Sequence, residues 1–252
     1  MPLSKPKISK LVAGLNSGVE SEAKHAASLL DGLLYPNYGP GPRVVSAAEN
    51  QRITDTHYGA IRGTQALDPL LDAVRRGTTF ARAYAVSVLG SIGDRRALPL
   101  VIDALSDPSP TVRLSATMSL LHFREPSAVS LLIHALDDSD PEVCRSAASV
   151  LGCFHSVDAV TPLIAYYHRG DREAKAAALR ALGCIGDPRS LPLVRIALLD
   201  KVRKVRDAAK SALTDYDLKR RHGPNKPAAG KAGITRLLTI GHHCPGLPEP
   251  ER

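Results

Sequence analysis

The sequence predicts an all-α fold in which antiparallel helix pairs stack into an α-solenoid. Two observations predict it: alanine and leucine each recur at a fixed spacing of 31 residues, and each period contains two helical patterns separated by a turn. The recurring residues are Ala85, Ala116, Ala147, Ala178 and Ala209, and Leu89, Leu120, Leu151, Leu182 and Leu213. A period of about 20–50 residues is typical of a repeat array, in which one small helical unit is stacked many times.

The organisation of one unit is clearest between residues 93 and 121. Its first half has apolar residues at the i, i+3, i+4 and i+7 positions of a helix, which we call helix A: Leu98, Val101, Ile102 and Leu105. Pro99 suits the first turn of that helix, and the Asp-Pro and Ser-Pro pairs at 107–110 mark a turn. A second apolar face, with Val112 and Ala116, predicts helix B. We therefore expect each unit to be helix A, a turn and helix B.

The two ends of the chain depart from this period. Residues 8–15 and 20–34 predict one further helical pair, and Tyr35–Arg43 is so rich in proline and glycine that it predicts an irregular insertion. Beyond Tyr216 the period stops, and Lys219–Pro227 predicts a basic linker. We therefore predict a degenerate N-terminal helical cap with the insertion at 1–59, a repeat array at 60–216 and a basic, disordered tail at 217–252.

Two segments carry a family resemblance. Residues 93–100 (Gly-Asp-Arg-Arg-Ala-Leu-Pro-Leu) and 186–193 (Gly-Asp-Pro-Arg-Ser-Leu-Pro-Leu) are each followed by a turn and a Val-Arg-x-x-Ala helix. They resemble HEAT repeats, most of all the short phycobilisome-lyase variety, strongly over residues 60–215 and weakly before. The resemblance implies a right-handed superhelix with B helices on the concave side. It implies no single function, since such repeats occur in bilin lyase subunits, a di-iron hydroxylase, DNA glycosylase-like proteins and adaptors.

The positive charge is concentrated at the C-terminal end. The whole chain has a net charge of +8, and residues 195–252 carry +7 of it. We therefore expect any polyanion contact at this C-terminal basic region. Aromatic residues make up only 4% of the chain, with no tryptophan, so that stacking platforms for bases or sugars are scarce.

The cysteines and the hydrophobic segments predict a cytoplasmic protein. Cys153 and Cys184 occupy equivalent positions in adjacent units, but stacked helices lie about 8–10 Å apart and a disulfide needs Cα atoms within about 7 Å. We therefore expect reduced cysteines. No segment approaches the roughly 20 apolar residues of a membrane span, and the first 15 residues contain no apolar core of a signal peptide.

Nothing in the sequence indicates catalysis, a cofactor or a metal. It contains no Gly-rich phosphate loop, nucleophile elbow, His-Glu-x-x-His or Cys-x-x-Cys motif. His122, Cys153 and Cys184 share a register, but a zinc site needs four ligands at about 2.0–2.3 Å. The cluster His242-His243-Cys244 lies between Gly241 and Pro245. We expect neither group to hold a metal. Without a His-Glu dipeptide, the hydroxylase activity is set aside.

A basic residue recurs near the start of helix B, at Arg82, Arg113, Lys175 and Arg206, and we take these four as candidate partner-binding residues. They predict a positively charged stripe for an acidic partner or a phosphate backbone. The alternative comes from the HEAT resemblance, in which a turn aspartate pairs with an arginine six residues later and links the units. Asp107/Arg113 and Asp200/Arg206 have that spacing, and both interpretations stay open.

The second candidate group surrounds the irregular insertion. Tyr35, Tyr38, His57 and Tyr58 lie in or near it, and tyrosine is favoured at binding surfaces because it offers area and a hydroxyl at low entropic cost. The alternative is that the insertion covers the apolar edge of the first repeats.

These patterns predict a non-catalytic protein–protein interaction module or scaffold. One alternative is a subunit of a phycobilin lyase, which attaches the chromophore to phycobiliproteins. A second alternative is nucleic-acid binding through the C-terminal basic region. The partner of the first is another protein, whose identity the sequence does not give.

Overall fold

The computed structural model describes residues 5–34, 67–123 and 125–222, and its regular secondary structure there is entirely helical. The chain divides into two compact units, Met1–Phe123 and Arg124–Arg252. Among the described residues, no helix combines the length and the apolar character needed to span a membrane.

Among its described residues, the first compact unit has six α-helices. They are α1 (Lys5–Leu15), α2 (Glu20–Leu34), α3 (Leu67–Arg76), α4 (Thr79–Ile92), α5 (Leu98–Asp103) and α6 (Pro110–Phe123). The helical pair predicted at 8–15 and 20–34 is confirmed as α1 and α2. The hydroxyl of Tyr84 on α4 donates to the carbonyl of Ala27 on α2 at 3.3 Å, which links this pair to the repeats.

The described residues of the second compact unit, 125–222, also form six α-helices. They are α7 (Ala128–Ala135), α8 (Pro141–Phe154), α9 (Val160–Arg169), α10 (Arg172–Ile185), α11 (Leu191–Ala197) and α12 (Arg203–His222). Helices α3, α5, α7, α9 and α11 are the predicted A helices, and α4, α6, α8, α10 and α12 are the B helices. The all-α solenoid of helix pairs is confirmed.

The A helices are shorter than the B helices, a difference that the period does not reveal. Helix α5 has only six residues and lies between single 3₁₀ turns at Arg95–Ala97 and Ala104–Ser106. The first 3₁₀ turn begins at Asp94, whose carboxylate accepts from the amide of Arg96 at 3.0 Å. Asp187 does the same for Arg189 at 2.9 Å before α11. Tight 3₁₀ turns at both ends bring the chain into and out of a short helix with few residues.

The repeating alanines lie in the core of the helical repeats. All five are fully buried, as are the first four leucines of the series. Leu213 on α12 is only half-buried, because within the described residues no further B helix follows α12. Glycine allows the closest approach: a Cβ atom on Gly183 of α10 would lie 2.6 Å from the Cα of Ala212 on α12. Small residues therefore set the spacing between neighbouring B helices within each of the two compact units.

Helix α12 is longer than the sequence predicts. It continues past Tyr216 to His222, whereas the sequence predicts that a basic linker begins at Lys219. Lysine and arginine have high helix propensity, and positive charge in the last turn interacts favourably with the negative end of the helix dipole. The helix can therefore run until Gly223 and Pro224, which are the first strong helix breakers.

Candidate partner-binding surface

Three of the four predicted basic residues close the turn between helix A and helix B. Each donates through Nη1 to backbone carbonyls five or six residues earlier: Arg82 to Gly77 at 3.1 Å, Arg113 to Asp107 at 2.9 Å and Pro108 at 3.2 Å, and Arg206 to Asp200 at 2.8 Å and Lys201 at 2.9 Å. Carbonyls at the end of a helix have no partner within the helix. These arginines therefore satisfy the backbone where helix A ends.

Cys144 occupies the same register on α8 and makes the same type of bond without a charge. Its thiol donates to the carbonyl of Asp138 at 3.1 Å. Burial raises the pKa of this thiol, and the nearby charge of Asp138 raises it further. The register is therefore a turn clamp that either an arginine or a cysteine can provide. The signal for this in the sequence is weak: a cysteine, Cys144, interrupts the series of basic residues.

Arg82 also joins its own unit to the next one. Its Nε and Nη2 atoms bind the two carboxylate oxygens of Asp107 at 2.8 and 3.0 Å, and the two side chains are only 20% and 12% exposed. One interpretation of the sequence is that Asp107 pairs with Arg113 in a series of ion pairs that links the repeats. The carboxylate of Asp107 instead accepts from Arg82, 25 residues before it, while Arg113 reaches the Asp107 carbonyl. The spacing of six residues therefore places Arg113 against the backbone of the turn. The carboxylate of Asp107 is bound by Arg82 of the preceding repeat.

Lys175 on α10 departs from the turn-clamp geometry. Its Nζ atom lies 5.4 Å from the ring centroid of Tyr167 on α9, within the range of a cation–π interaction. Arg169, six residues earlier, forms an ion pair with Asp137 and donates to the carbonyl of Leu136 at 3.1 Å. Arg169, the basic residue in this turn, therefore binds the preceding repeat.

The other four predicted partner-binding residues lie outside the described residues. These are Tyr35, Tyr38, His57 and Tyr58. The His242-His243-Cys244 cluster lies outside them as well. Over 5–34, 67–123 and 125–222, no three His, Cys, Asp or Glu side chains come together to hold a metal ion, and the described cysteines Cys144, Cys153 and Cys184 are not joined in disulfides.

A cleft between the B helices α10 and α12 is a surface that the sequence did not indicate. It has a volume of about 510 Å³ and is lined by Arg180, Arg203, Lys204, Asp207, Ala208 and Ser211. Basic residues dominate its lining, and the small side chain of buried Ala208 forms its floor. We call it the cationic cleft. The signal for it is that Arg180 and Ser211, like Glu173 and Lys204, lie 31 residues apart and so occupy equivalent positions on neighbouring B helices.

Ion pairs at the cationic cleft neutralise only part of its charge. The Lys204 ammonium on α12 pairs with Glu173 on α10. Arg203 approaches Asp207 at 3.5 Å, and Lys210 approaches the same carboxylate at 3.8 Å. Within the described part of the chain, no carboxylate lies within ion-pair distance of Arg180. Glu173 also pairs with Arg172 at 3.7 Å, so that four cations share two carboxylates at this surface while Arg180 pairs with neither.

Comparisons with known proteins agree with the helical repeats. A family model described as HEAT repeats matches residues 67–152 and 131–214. None of the curated proteins matches this sequence.

Several solved structures have a similar fold. An engineered protein is 20% identical, with a TM-score of 0.57 over 84% of this chain and 97% of that one. A designed armadillo repeat protein in complex with the peptide (KR)4 is 17% identical, with a TM-score of 0.60 over 83% and 99%. The complex of CpcE and CpcF of phycocyanin lyase from Nostoc sp. is 19% identical, with a TM-score of 0.52 over 95% and 94%. At these identities the similarity concerns the fold.

Proposed function

This chain belongs to the HEAT-repeat family, and we propose that it is a non-catalytic protein-binding module. The observation that carries the proposal is the cationic cleft, a concave surface on two packed B helices with polar groups that internal ion pairs do not fully engage. Its volume of about 510 Å³ lies within the range of about 300–1,000 Å³ that is usual for binding sites.

The helices around the cationic cleft provide a rigid frame. Gly183 on α10 and Ala212 on α12 bring the two helices into close contact, and Ala212 is fully buried. Groups on packed helices are held more precisely than groups on loops. A partner therefore meets preorganised side chains and causes little loss of conformational entropy on binding.

In this proposal, the arginines of the turn clamp contribute less to partner binding than they would in a positively charged stripe. Arg82 is only 20% exposed in its pair with Asp107, and Arg206 and Arg113 direct their Nη1 groups to the backbone. Lys175 lies against Tyr167. We keep these four residues and Tyr35, Tyr38, His57 and Tyr58 as proposed contacts, and we place the centre of the surface at the cationic cleft.

Two proteins of similar fold lend support because each is in a complex. The designed armadillo repeat protein is in complex with a peptide, and CpcE is in complex with CpcF. Both show that this architecture can bind a peptide or another protein. Cys144 and Cys153 are not joined in a disulfide, which supports the cytoplasmic location that we also propose.

Site-directed photo-crosslinking tests the proposed function. A photoreactive phenylalanine derivative replaces Ser211 in the cationic cleft or, as a matched control, the exposed Ser127 before α7. In lysate of the source cells, we expect one defined crosslinked protein at position 211 and none at position 127. Equal crosslinking patterns at both positions, or no adduct at either, would contradict a protein-binding module centred on this cleft.

The two alternative functions lead to different measurements. A phycobilin lyase subunit would change the absorbance of bilin mixed with apo-phycobiliprotein, because attachment to the protein alters the chromophore's environment. Nucleic-acid binding through the C-terminal basic region would appear as DNA retention that falls steeply with salt. Most of that region lies outside the described residues, so this alternative remains a prediction from the sequence.

A further inference from the structure

The charge of Arg180 is poorly compensated. The side chain lies in the cationic cleft, and partial burial lowers the pKa of its guanidinium, an effect that the charge of Glu173 only partly offsets. Glu173 itself is engaged elsewhere: its hydrogen bond with Lys204 lowers the pKa of its carboxyl. Arg180 is exposed at the surface of the cleft, so its guanidinium is accessible for charge-assisted hydrogen bonds to an anion that enters.

The neighbouring cations on α12 are also available to an incoming anion. Arg203 lies 3.5 Å from Asp207 and its side chain is 89% exposed, and the pair between Lys210 and Asp207 is longer still at 3.8 Å. Exposed pairs of this kind contribute little to stability. They can exchange one carboxylate for another at small cost.

The lining of the cleft offers hydrogen-bond donors from both helices. Its floor is Ala208, and the exposed hydroxyl of Ser211 lies at the position equivalent to Arg180 on the adjacent helix. A carboxylate can therefore meet a guanidinium from α10 and a hydroxyl donor from α12. This combination of charge and hydrogen bonding is suited to side-chain carboxylates.

We propose that the cationic cleft binds an acidic peptide segment of the partner, with its carboxylates on Arg180, Arg203 and Lys204 and a hydrogen bond from Ser211. The inference rests on the proposed function and names the chemistry of the segment that the module recognises. Asp207 and Glu173 argue against nucleic acid as the ligand. Phosphates follow one another closely along a strand, so that some would face these two carboxylates, whereas a peptide can space its charges.

Fluorescence anisotropy of the full chain tests this inference. The probe is a labelled eight-residue peptide in which glutamate alternates with serine. The two comparison probes carry the same label: a peptide with lysine in place of each glutamate, and an eight-nucleotide oligothymidylate. We expect the acidic peptide to bind at least tenfold more tightly than either comparison probe, and its affinity to fall with salt because of the Debye screening of exposed charges.

Two variants locate the binding. Arg180→Gln removes the uncompensated guanidinium, and Ser211→Asp adds a negative charge on the opposite wall. Each should raise the Kd of the acidic peptide at least fivefold. The matched control is Arg76→Gln on α3, which removes the same charge from an exposed side chain paired with Asp72 and should change the Kd less than twofold. Circular dichroism verifies that all three variants are folded.

The possible outcomes separate this inference from the proposed function. The inference is overturned if the acidic peptide does not bind, if both variants bind it as the unmodified chain does, or if the oligothymidylate binds equally well. A specific protein adduct at position 211 in the crosslinking experiment would then still support a protein-binding module. Conversely, tight binding of the acidic peptide with loss in both variants supports the inference by a readout independent of the native partner.

Discussion

His155 ends helix α8 in a left-handed backbone conformation, and its ring bonds to the carbonyl of Cys184 on the neighbouring B helix. Its φ is 52°, and Nδ1 lies 2.6 Å from the carbonyl oxygen of Cys184. Because a carbonyl only accepts, Nδ1 carries the proton. Gly93 and Gly186 occupy the equivalent positions, with φ of 63° and 73°. In this repeat a histidine replaces glycine and links two units.

Substitution of His155 should separate the two effects. His155→Ala loses the bond and keeps the unfavourable left-handed conformation, which costs about 1–2 kcal/mol for a residue with a Cβ. His155→Gly also loses the bond but removes that cost. We therefore expect the Tm of His155→Ala to be lower than that of His155→Gly. The gap should be roughly 2–4 °C for each kcal/mol by which the two variants differ in stability. Thermal melting followed by circular dichroism measures it, and equal melting temperatures would contradict the assignment.

The close approach of α10 and α12 predicts that Gly183→Ala destabilises the protein. The new Cβ would lie 2.6 Å from the Cα of Ala212 and 2.8 Å from its Cβ, so that the helix backbones would have to separate. Overpacking costs about 1–3 kcal/mol, and we expect it to exceed the gain of up to about 1 kcal/mol from replacing glycine in a helix. Urea denaturation measures the difference. The control is Ser211→Ala on the exposed side of α12, and equal stabilities of the two variants would show that the helices are not in tight contact.

The period of the sequence predicts most of the fold, because it records which residues face the neighbouring unit. The buried alanines, the alternation of helices A and B and the pair α1 and α2 all follow from it. The ion pair of Asp107 does not follow from the period. Its partner, Arg82, belongs to the preceding repeat, and the spacing of residues within one repeat does not reveal contacts with another repeat. The cationic cleft was missed for the same reason. It requires Arg180 and Ser211 to be seen as neighbours across two helices.

The Arg82–Asp107 pair should make stability depend on pH. Burial alone would raise the pKa of Asp107, but the Arg82 hydrogen bond, the Ser109 amide and the charges of Arg82 and Arg113 together hold it below its usual range. A lowered pKa in the folded state stabilises the protein above the unfolded pKa of about 3.9, and that stabilisation is lost as the pH falls through the folded value.

Asp107→Asn tests this dependence because it removes the titrating group. We expect the Tm difference between the unmodified chain and Asp107→Asn to be constant from pH 5 to 8 and to shrink below about pH 4. Melting curves at a series of pH values measure it. Asp137→Asn is the control for an exposed carboxylate. A Tm difference for Asp107→Asn that does not change with pH would contradict the role of the charged pair.

Cys153 should be nearly inert towards alkylation in the folded protein. Burial, together with the nearby Cys184, raises the pKa of its thiol to about 12, and the thiolate is the reactive species. At pH 8 we therefore expect iodoacetamide to modify Cys153 at least tenfold more slowly in the native protein than in urea. Mass spectrometry of the proteolytic peptides follows the reaction. Equal rates with and without urea would show that the thiol is accessible and ionisable in the fold.

The double variant Tyr35→Ala/Tyr38→Ala tests the sequence-based proposal that the irregular insertion contacts the partner. Repeats provide a regular surface, and tyrosines in the single proline- and glycine-rich insertion can add specificity to it. We expect the double variant to keep its Tm within about 2–4 °C and to weaken partner binding at least tenfold, or about 1.4 kcal/mol. The measurement is the yield of the protein crosslinked at position 211, titrated against the concentration of the chain. An unchanged yield, with the fold intact, would assign the insertion to covering the first repeats and leave the cationic cleft as the proposed interface.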